Sequence, residues 1–170
     1  MRVSVLTVSD RCCRGEAKDE TGPALREVLE REGAEVTEVA LVPDEEGIIR
    51  QQLLRLCAAE PDLVLTNGGT GFAPRDVTPE ATKAVIEREV PGLPEAMRAK
   101  SLAVTADAML SRACAGIRGK TLIVNLPGSP RGATECLGVI LPVLPHAVEM
   151  LAGGKHACAE RERAPGSGRT

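Results

Sequence analysis

A glycine-rich turn lies between an apolar run and the start of a helix, and this succession limits the folds open to the chain. Residues 62–79 read DLVLTNGGTGFAPRDVTP, and Pro61 precedes this stretch. A short apolar run bounded by turn residues is typical of a strand buried on both faces of an α/β sheet. The TPE sequence that begins at Thr78 predicts a helix with Thr78 as its N-cap and Pro79 as its first residue.

The turn itself has the composition of a phosphate-binding loop. Gly68, Gly69 and Gly71 allow positive φ angles and a close approach of backbone N–H groups to a ligand, and Thr70 adds a hydroxyl. A plain tight turn satisfies the same pattern. The Walker lysine motif is absent, and GGTG differs from the dinucleotide fingerprint GxGxxG.

Arg75 and Asp76 follow the turn and offer complementary chemistry. A guanidinium suits a phosphate, and a carboxylate suits a hard cation such as Mg²⁺. The sequence does not decide whether Arg75 binds phosphate or pairs with Asp76.

Composition argues against nucleic acid as a partner. The net charge is −3, the pI is about 5.5, and Phe72 is the only aromatic residue among 170. An acidic net charge argues against the basic face that binds nucleic-acid phosphates, and a single aromatic residue cannot provide a base-stacking platform.

No apolar stretch approaches the length of a membrane span, and no signal peptide precedes the first strand pattern. The six cysteines are scattered and include no CxxC pair, which favours free thiols. Zinc needs a cluster of ligands, and the only candidate is His156 with Cys158, so we expect no structural metal site. We therefore expect a cytoplasmic protein with no membrane partner.

Strand and helix patterns alternate along the chain. Strands are predicted at residues 2–8, 34–42, 63–65, 109–116 and 120–125, the last two forming a hairpin, and residues 12–20 are predicted to be a polar loop. Helices are predicted after Thr21, which would be the N-cap, around Ile49, and at residues 78–89 and 94–103. A last helix is predicted to run toward Leu151, and Pro142 and Pro145 should interrupt it. Residues 1–152 are expected to form one domain, and residues 153–170 a flexible tail.

Four loops follow predicted strands, and each carries polar or glycine residues. Because loops at the carboxyl ends of parallel strands share one edge of a sheet, we expect these loops to line one cleft. The fold predicted from the alternation is a three-layer α/β/α sandwich. The loops are Ser9-Asp10, Pro43-Asp44, the glycine turn with Asp76, and residues 125–129.

Several motifs together resemble the molybdopterin adenylyltransferase family, which includes the bacterial stand-alone enzyme and the first catalytic domain of gephyrin and its plant counterpart. The resemblance runs in order from about residue 3 to residue 151. It is carried by LTVSD (6–10), VPDE (42–45), TNGGTGFAPRDVTPEAT (66–82), MLSR (109–112), GIRGKTLIVNLPGSP (116–130) and LPHAVEML (144–151). It implies a mostly parallel sheet with one antiparallel strand.

The reaction that the resemblance implies is Mg²⁺-dependent transfer of AMP from ATP to the terminal phosphate of molybdopterin, with release of pyrophosphate. A phosphate monoester carries a charge of about −1.5 to −2 at neutral pH, so this nucleophile needs no general base. The reaction instead requires alignment of two anions and neutralisation of their charge.

Asp44 and Asp76 match acidic positions regarded as catalytic in the family, and we predict that they hold Mg²⁺. Each could alternatively be a helix-starting acid that accepts backbone hydrogen bonds. The presence of both VPDE and PRDVTP favours the metal-binding role.

The remaining candidates divide between the two substrates. The turn residues Gly68, Gly69, Thr70 and Gly71, together with Asn125, Leu126, Pro127, Gly128 and Ser129, are predicted to bind ATP. The molybdopterin side is assigned to Ser9, Asp10, Asp19, Arg75, Ser111 and Lys120. For Asp19, Ser111 and Lys120, an ordinary structural role explains the residue equally well.

Two alternatives belong to other functional classes. One is a sister protein that binds the pterin or partner proteins without adenylylating; the two intact acidic motifs count against it. The other is a scaffold, which would need a linker and further domains. The resemblance also implies a homotrimer and a separate protein that inserts molybdate.

Overall fold

The computed structural model of the chain describes residues 1–153, so all of the predicted tail except Gly153 lies outside the described residues. The elements are β1 (Arg2–Val8), α1 (Asp10–Cys13), α2 (Thr21–Arg31), β2 (Glu35–Val42), α3 (Glu46–Ala58), β3 (Leu63–Asn67), α4 (Thr78–Lys83), β4 (Arg88–Glu89), α5 (Gly92–Leu102), a 3₁₀ turn (Ala106–Leu110), β5 (Ala115–Arg118), β6 (Thr121–Leu126), α6 (Pro130–Ile140), a second 3₁₀ turn (Leu141–Val143) and α7 (Leu144–Leu151).

The strands form one six-stranded sheet in the order β2-β1-β3-β6-β5-β4. Strands β1, β2, β3 and β6 are parallel, whereas β5 runs antiparallel to both of its neighbours. The predicted sheet with one antiparallel strand is therefore confirmed. The carboxyl ends of the four parallel strands meet at one edge, as the sequence predicted.

Helices cover both faces of the sheet, which explains why the central strands lack polar alternation. Leu63 and Leu65 pack with α2 and α6 on one face, whereas Val64 packs with α3 on the other face. Both apolar runs, residues 63–65 and 122–124, are buried throughout. Full burial of each such side chain contributes about 1.5–3 kcal/mol relative to exposure.

The expectation that no stretch approaches the length of a membrane span was wrong. Residues Pro130–Leu151 form 22 helical residues with a mean hydropathy of 1.3, enough in length and composition to cross a membrane. One side of this run is buried in the protein core through Ala133, Leu137, Ile140 and Leu144. This packing accounts for the apolar residues on that side, whereas only 22% of the apolar window is buried and Val143 and Met150 are exposed.

Several element boundaries differ from the predictions for local reasons. Residues 10–13 form a short helix, because the Ser9 hydroxyl caps it by accepting a hydrogen bond from the Cys12 N–H. The helix predicted over residues 78–89 ends at Lys83, and Arg88–Glu89 pairs with β5 instead. Residues 109 and 110 belong to a 3₁₀ turn rather than to a strand.

The two predicted threonine N-caps are also wrong. Thr21 is the first residue of α2, and the carboxylate of Asp19 accepts the N–H groups of Thr21 and Gly22. Thr78 is the first residue of α4, and its hydroxyl donates to the Gly68 carbonyl at 2.9 Å. Thr78 therefore ties α4 to the glycine turn instead of capping the helix.

Candidate functional site

The loops after β1 and β2 are joined by two aspartates. The Asp10 N–H donates to Asp44 Oδ2 at 2.7 Å, and the Asp44 N–H donates to Asp10 Oδ1 at 3.1 Å. Arg75, from the loop after β3, donates to both carboxylate oxygens of Asp10 at 2.8 and 2.9 Å. Arg75 thus pairs with Asp10, and not with Asp76.

The glycine turn needs glycine at its first two positions. Gly68 and Gly69 have φ angles of +95° and +61°, which favour glycine. A Cβ at Gly68 would overlap the Val8 carbonyl oxygen, and one at Gly69 would overlap the Thr78 hydroxyl and lie 3.0 Å from Asp44 Oδ1. The turn is therefore packed against β1, α4 and the Asp44 carboxylate at once.

Asp76 approaches the same turn from the other side. Its Oδ2 atom accepts the Ala73 N–H at 2.8 Å and would lie 2.9 Å from a Cβ at Gly71. Asp44 and Asp76 each have one oxygen bonded to a backbone N–H and one oxygen that receives no donor from the described residues. Hard oxygen ligands with free lone pairs fit Mg²⁺, which typically takes one or two protein carboxylates together with substrate phosphates.

Burial and neighbouring charges shift the pKa values of Asp44 and Asp10 in opposite directions. Partial burial raises the pKa of Asp44, and the negative charges of Asp10 and Asp76 act in the same direction. The hydrogen bonds from Arg75 lower the pKa of Asp10. A cation bound near Asp44 would relieve the repulsion that this carboxylate experiences.

A polar cleft of about 350 Å³ opens over the ends of β1, β2 and β3. It combines residues from all four predicted loops, and Arg11 and Lys18 add positive charge at its rim. The predicted site residues that line this cleft are Ser9, Asp10, Asp19, Asp44, Gly68, Gly69, Asp76 and Gly128.

A second cavity of about 490 Å³ lies on the opposite side of the glycine turn, against α5 and α6. Its lining is mainly apolar and includes Phe72, Met97, Val104 and Leu110. Phe72 is 66% exposed although it is the only aromatic side chain of the protein. The predicted site residues that line this cavity are Thr70, Gly71, Ser111, Pro127 and Ser129.

Two residues predicted on the ATP side are enclosed in the sheet. Asn125 is fully buried; its amide donates to the Thr66 and Thr82 hydroxyls, and its carbonyl oxygen accepts the Cys114 N–H. Leu126 is also fully buried. Their side chains therefore hold the sheet together and line neither cavity.

Three residues predicted on the molybdopterin side also have other positions or partners. Lys120 is exposed in the turn before β6, at the amino end of that strand, roughly 20 Å along the strand from the loops of the site. Asp19 lines the polar cleft, but its oxygens accept the Thr7 hydroxyl and the first N–H groups of α2. Ser111 lines the apolar cavity rather than the polar cleft.

Sequence reasoning missed Arg112. Its side chain donates to the carbonyls of Gly71 and Asp76 and pairs with Glu80, so it joins both sides of the loop that carries Asp76. The MLSR motif contained this residue, but no local pattern indicated that its partners lie 32 to 41 residues earlier.

Comparisons of the sequence and of the fold with known proteins agree on one family. The family described as a probable molybdopterin binding domain matches residues 4–146. The molybdopterin adenylyltransferase of Helicobacter pylori strain J99 is 43% identical over 156 residues, which cover 90% of this chain and 89% of that protein. Gephyrin of Dictyostelium discoideum is 43% identical over 159 residues, covering 88% of this chain and 22% of gephyrin. The crystal structure of the molybdopterin biosynthesis enzyme MoaB from Thermus thermophilus is 56% identical, has a TM-score of 0.83, and is matched over 89% of this chain and 96% of that one.

Proposed function

This chain belongs to the probable molybdopterin-binding domain family, which includes the molybdopterin adenylyltransferases, and from that membership we propose that it transfers AMP from ATP to molybdopterin in molybdenum cofactor biosynthesis. One observation carries the proposal: Asp44 and Asp76 approach the glycine turn, which separates a polar cleft from an apolar cavity. Such a turn can hold the phosphates of a nucleotide between a base on one side and a second anion on the other.

The apolar cavity is proposed to take the adenosine. A nucleobase has two apolar faces and a polar edge, which match a cavity with aliphatic walls and a few hydroxyl groups. Ser111 and Ser129 provide such hydroxyls, and Phe72 provides a ring for stacking. Under this proposal Ser111 contacts the nucleotide, not the pterin.

The polar cleft is proposed to take molybdopterin with its terminal phosphate toward the glycine turn. Arg11 and Lys18 line this cleft and make no ion pair within residues 1–153, so they remain available to an anion. The phosphate oxygen attacks the α-phosphorus of ATP, a new P–O bond forms, and the bond to pyrophosphate breaks. The nucleophile is already ionised at neutral pH, so no side chain has to remove a proton.

Asp44 and Asp76 are the residues that would hold Mg²⁺ for this reaction. When it is bound, Mg²⁺ neutralises charge on the phosphates that approach each other. The protein contributes the fixed backbone of the glycine turn, held by Thr78, and the two carboxylates beside it. Rigid placement of such groups lowers the entropy cost of bringing two anions together.

Release of pyrophosphate from ATP tests the proposal. We expect release that depends on both molybdopterin and Mg²⁺, with little release when either is omitted. If ATP binds but no pyrophosphate appears with both present, the protein is a sister that binds these ligands without adenylylating.

We further propose that the protein acts in the cytoplasm as a homotrimer and passes its product to a separate molybdate-inserting protein. Five cysteines in the described residues are free thiols, which suits a reducing compartment. A monomeric mass in light scattering would contradict the trimer.

A further inference from the structure

Arg112 makes four hydrogen bonds to one loop of the site. Its backbone N–H donates to the Thr70 carbonyl at 2.9 Å. Its side-chain Nε donates to the Gly71 carbonyl at 2.6 Å, one terminal nitrogen donates to the Asp76 carbonyl, and the other pairs with Glu80. Arg112 therefore contacts the beginning, the Asp76 position and the helical end of the loop over residues 70–80.

The loop has few other bonds that fix Asp76. Within the loop, the Ala73 N–H donates to the Asp76 carboxylate at 2.8 Å, and the Asp76 N–H returns a bond to the Ala73 carbonyl at 2.8 Å. These bonds close a small turn but do not attach it to the rest of the protein. On either side of Asp76, Arg75 is bonded to Asp10 and Thr78 to the Gly68 and Gly69 carbonyls. Among the described residues, the bond that attaches Asp76 itself to a distant part of the chain is the one from Arg112 to the Asp76 carbonyl.

Arg112 is itself held from α5. The Arg98 side chain donates to the carbonyls of Ser111 and Ala113, the two neighbours of Arg112, at 3.4 and 3.0 Å. A guanidinium presents its donors in a fixed plane, so it can keep two carbonyls at one separation, whereas a lysine ammonium cannot. The contacts of Arg98 thus fix Arg112, and through it the loop that carries Asp76, relative to α5.

We propose that Arg112 is a positioning residue that clamps the Gly71 and Asp76 carbonyls and so keeps the Asp76 carboxylate beside the glycine turn, opposite Asp44. Its effect on the reaction rests on the proposed function; its effect on the loop does not. Loss of the clamp weakens metal binding at Asp76 while the apolar cavity and the polar cleft keep their side chains.

The test uses the full chain with Arg112→Lys, and Arg118→Lys as the matched control. Arg118 is exposed to a similar degree, 37% against 33% for the side chain of Arg112, and it also donates to a backbone carbonyl and pairs with a glutamate. Its partners Val85 and Glu87 lie outside both cavities. Amide hydrogen exchange at Ala73 and Asp76 is measured together with the Mg²⁺ concentration that gives half-maximal pyrophosphate release.

For Arg112→Lys we expect exchange at these two amides to rise by about tenfold or more, because the charged hydrogen bonds that hold the loop are lost. The half-activating Mg²⁺ concentration should rise by about tenfold, since groups that orient metal ligands commonly change metal affinity by 10- to 100-fold. The KM for molybdopterin should change by less than about threefold. Arg118→Lys should leave all three quantities near the wild-type values. Unchanged exchange at Ala73 and Asp76 would overturn the proposal.

Glu80→Gln separates the clamp from the ion pair. This variant removes the charge partner of Arg112 but leaves both carbonyl bonds, so exchange at Ala73 and Asp76 should stay within about threefold of wild type. If exchange at Ala73 and Asp76 rises as much in Glu80→Gln as in Arg112→Lys, the ion pair holds the loop, and the proposal is overturned. If wild type releases no pyrophosphate, the proposed function fails while the exchange measurements still decide the role of Arg112.

Discussion

Asp10 and Asp44 exchange hydrogen bonds across the loops that follow β1 and β2, with each backbone N–H donating to the other carboxylate. Both oxygens of Asp10 are occupied, since Arg75 also donates to them. Asp44 has only Oδ2 occupied among the described residues, and its Oδ1 lies beside Gly69. The pair therefore leaves Asp44, rather than Asp10, with an oxygen available to a cation.

Asparagine at either carboxylate of the proposed metal site should nearly abolish the reaction. Asp44→Asn and Asp76→Asn keep the size of the side chain and one hydrogen-bond acceptor but remove the charge that Mg²⁺ needs. We expect kcat for pyrophosphate release to fall by about 100-fold or more, as for the loss of other preorganised charges in active sites.

Asp62→Asn is the control for these variants. The Asp62 carboxylate also accepts a backbone N–H, that of Arg2 at 2.6 Å, but it precedes β3 at the opposite edge of the sheet. The kcat of Asp62→Asn should stay within about threefold of wild type. Turnover of Asp44→Asn and Asp76→Asn at the wild-type rate would remove both residues from the proposed metal site.

The raised pKa of Asp44 predicts that this carboxylate reduces stability at neutral pH. Because its pKa is higher in the folded state, the folded protein retains a proton that the unfolded chain has already released, and stability falls as pH rises from the ordinary pKa of 3.8 to the raised value. Asp44→Asn should therefore raise Tm at neutral pH by about 2 °C, and the difference should shrink toward about pH 3.5.

Calorimetry of both proteins across this pH range measures the effect. Adding Mg²⁺ should raise the Tm of wild type more than that of Asp44→Asn, since a ligand stabilises the state that binds it. A lower Tm for Asp44→Asn at neutral pH would contradict the assignment of Asp44 as a partly buried, repelled carboxylate.

Phe72 offers a direct probe of the apolar cavity. The chain contains no tryptophan, so Phe72→Trp introduces a single fluorophore at the cavity wall. ATP should change its emission because the adenine is proposed to stack beside this ring. Phe72→Ala should raise the KM for ATP by about fivefold or more, since stacking on an aromatic side chain contributes about 1–3 kcal/mol per base.

Val143→Trp is the matched control for the fluorescence measurement. Val143 is 50% exposed and lines neither of the two proposed substrate sites, so its emission should not respond to ATP. If the emission of Phe72→Trp also does not change at saturating ATP, the nucleotide binds elsewhere.

Replacement of Asn125 should affect stability rather than substrate binding. Asn125→Leu removes the partners of Thr66, Thr82 and the Cys114 N–H in the interior of the sheet. We expect a loss of about 2–4 kcal/mol in the free energy of unfolding, because several buried polar groups lose their hydrogen bonds together. Denaturant titration measures this loss, and the KM for ATP should remain within about threefold. A large rise in KM with unchanged stability would restore Asn125 to the nucleotide site.

Most of the fold could be predicted because its signals are local. The apolar runs at residues 63–65 and 122–124, and the turn residues after them, specify buried strands without reference to distant partners. The meeting of the four loops followed from the rule for parallel strands. The two-residue strand β4 could not be predicted, because it exists only through pairing with Ile117 and Gly116.

The site was harder to predict because side-chain direction depends on the assembled sheet. Asn125 lies in a motif that otherwise borders the apolar cavity, yet the alternation along β6 directs its amide to Thr66 and Thr82. Arg75 had two candidate partners in the sequence and took a third, Asp10, which lies 65 residues earlier. The contacts of Arg112 could not be predicted either, because its partners include backbone carbonyls, which every residue has.

Transfer of label from ATP distinguishes adenylyl transfer from every other reaction of the nucleotide. The protein is incubated with Mg²⁺, molybdopterin and ATP labelled with ³²P at either the α or the γ position. We predict that α-label appears in an adenylylated pterin while γ-label appears in pyrophosphate, and that Asp76→Asn abolishes both. Label that remains in ATP, or γ-label transferred to the pterin, would contradict adenylyl transfer by this protein.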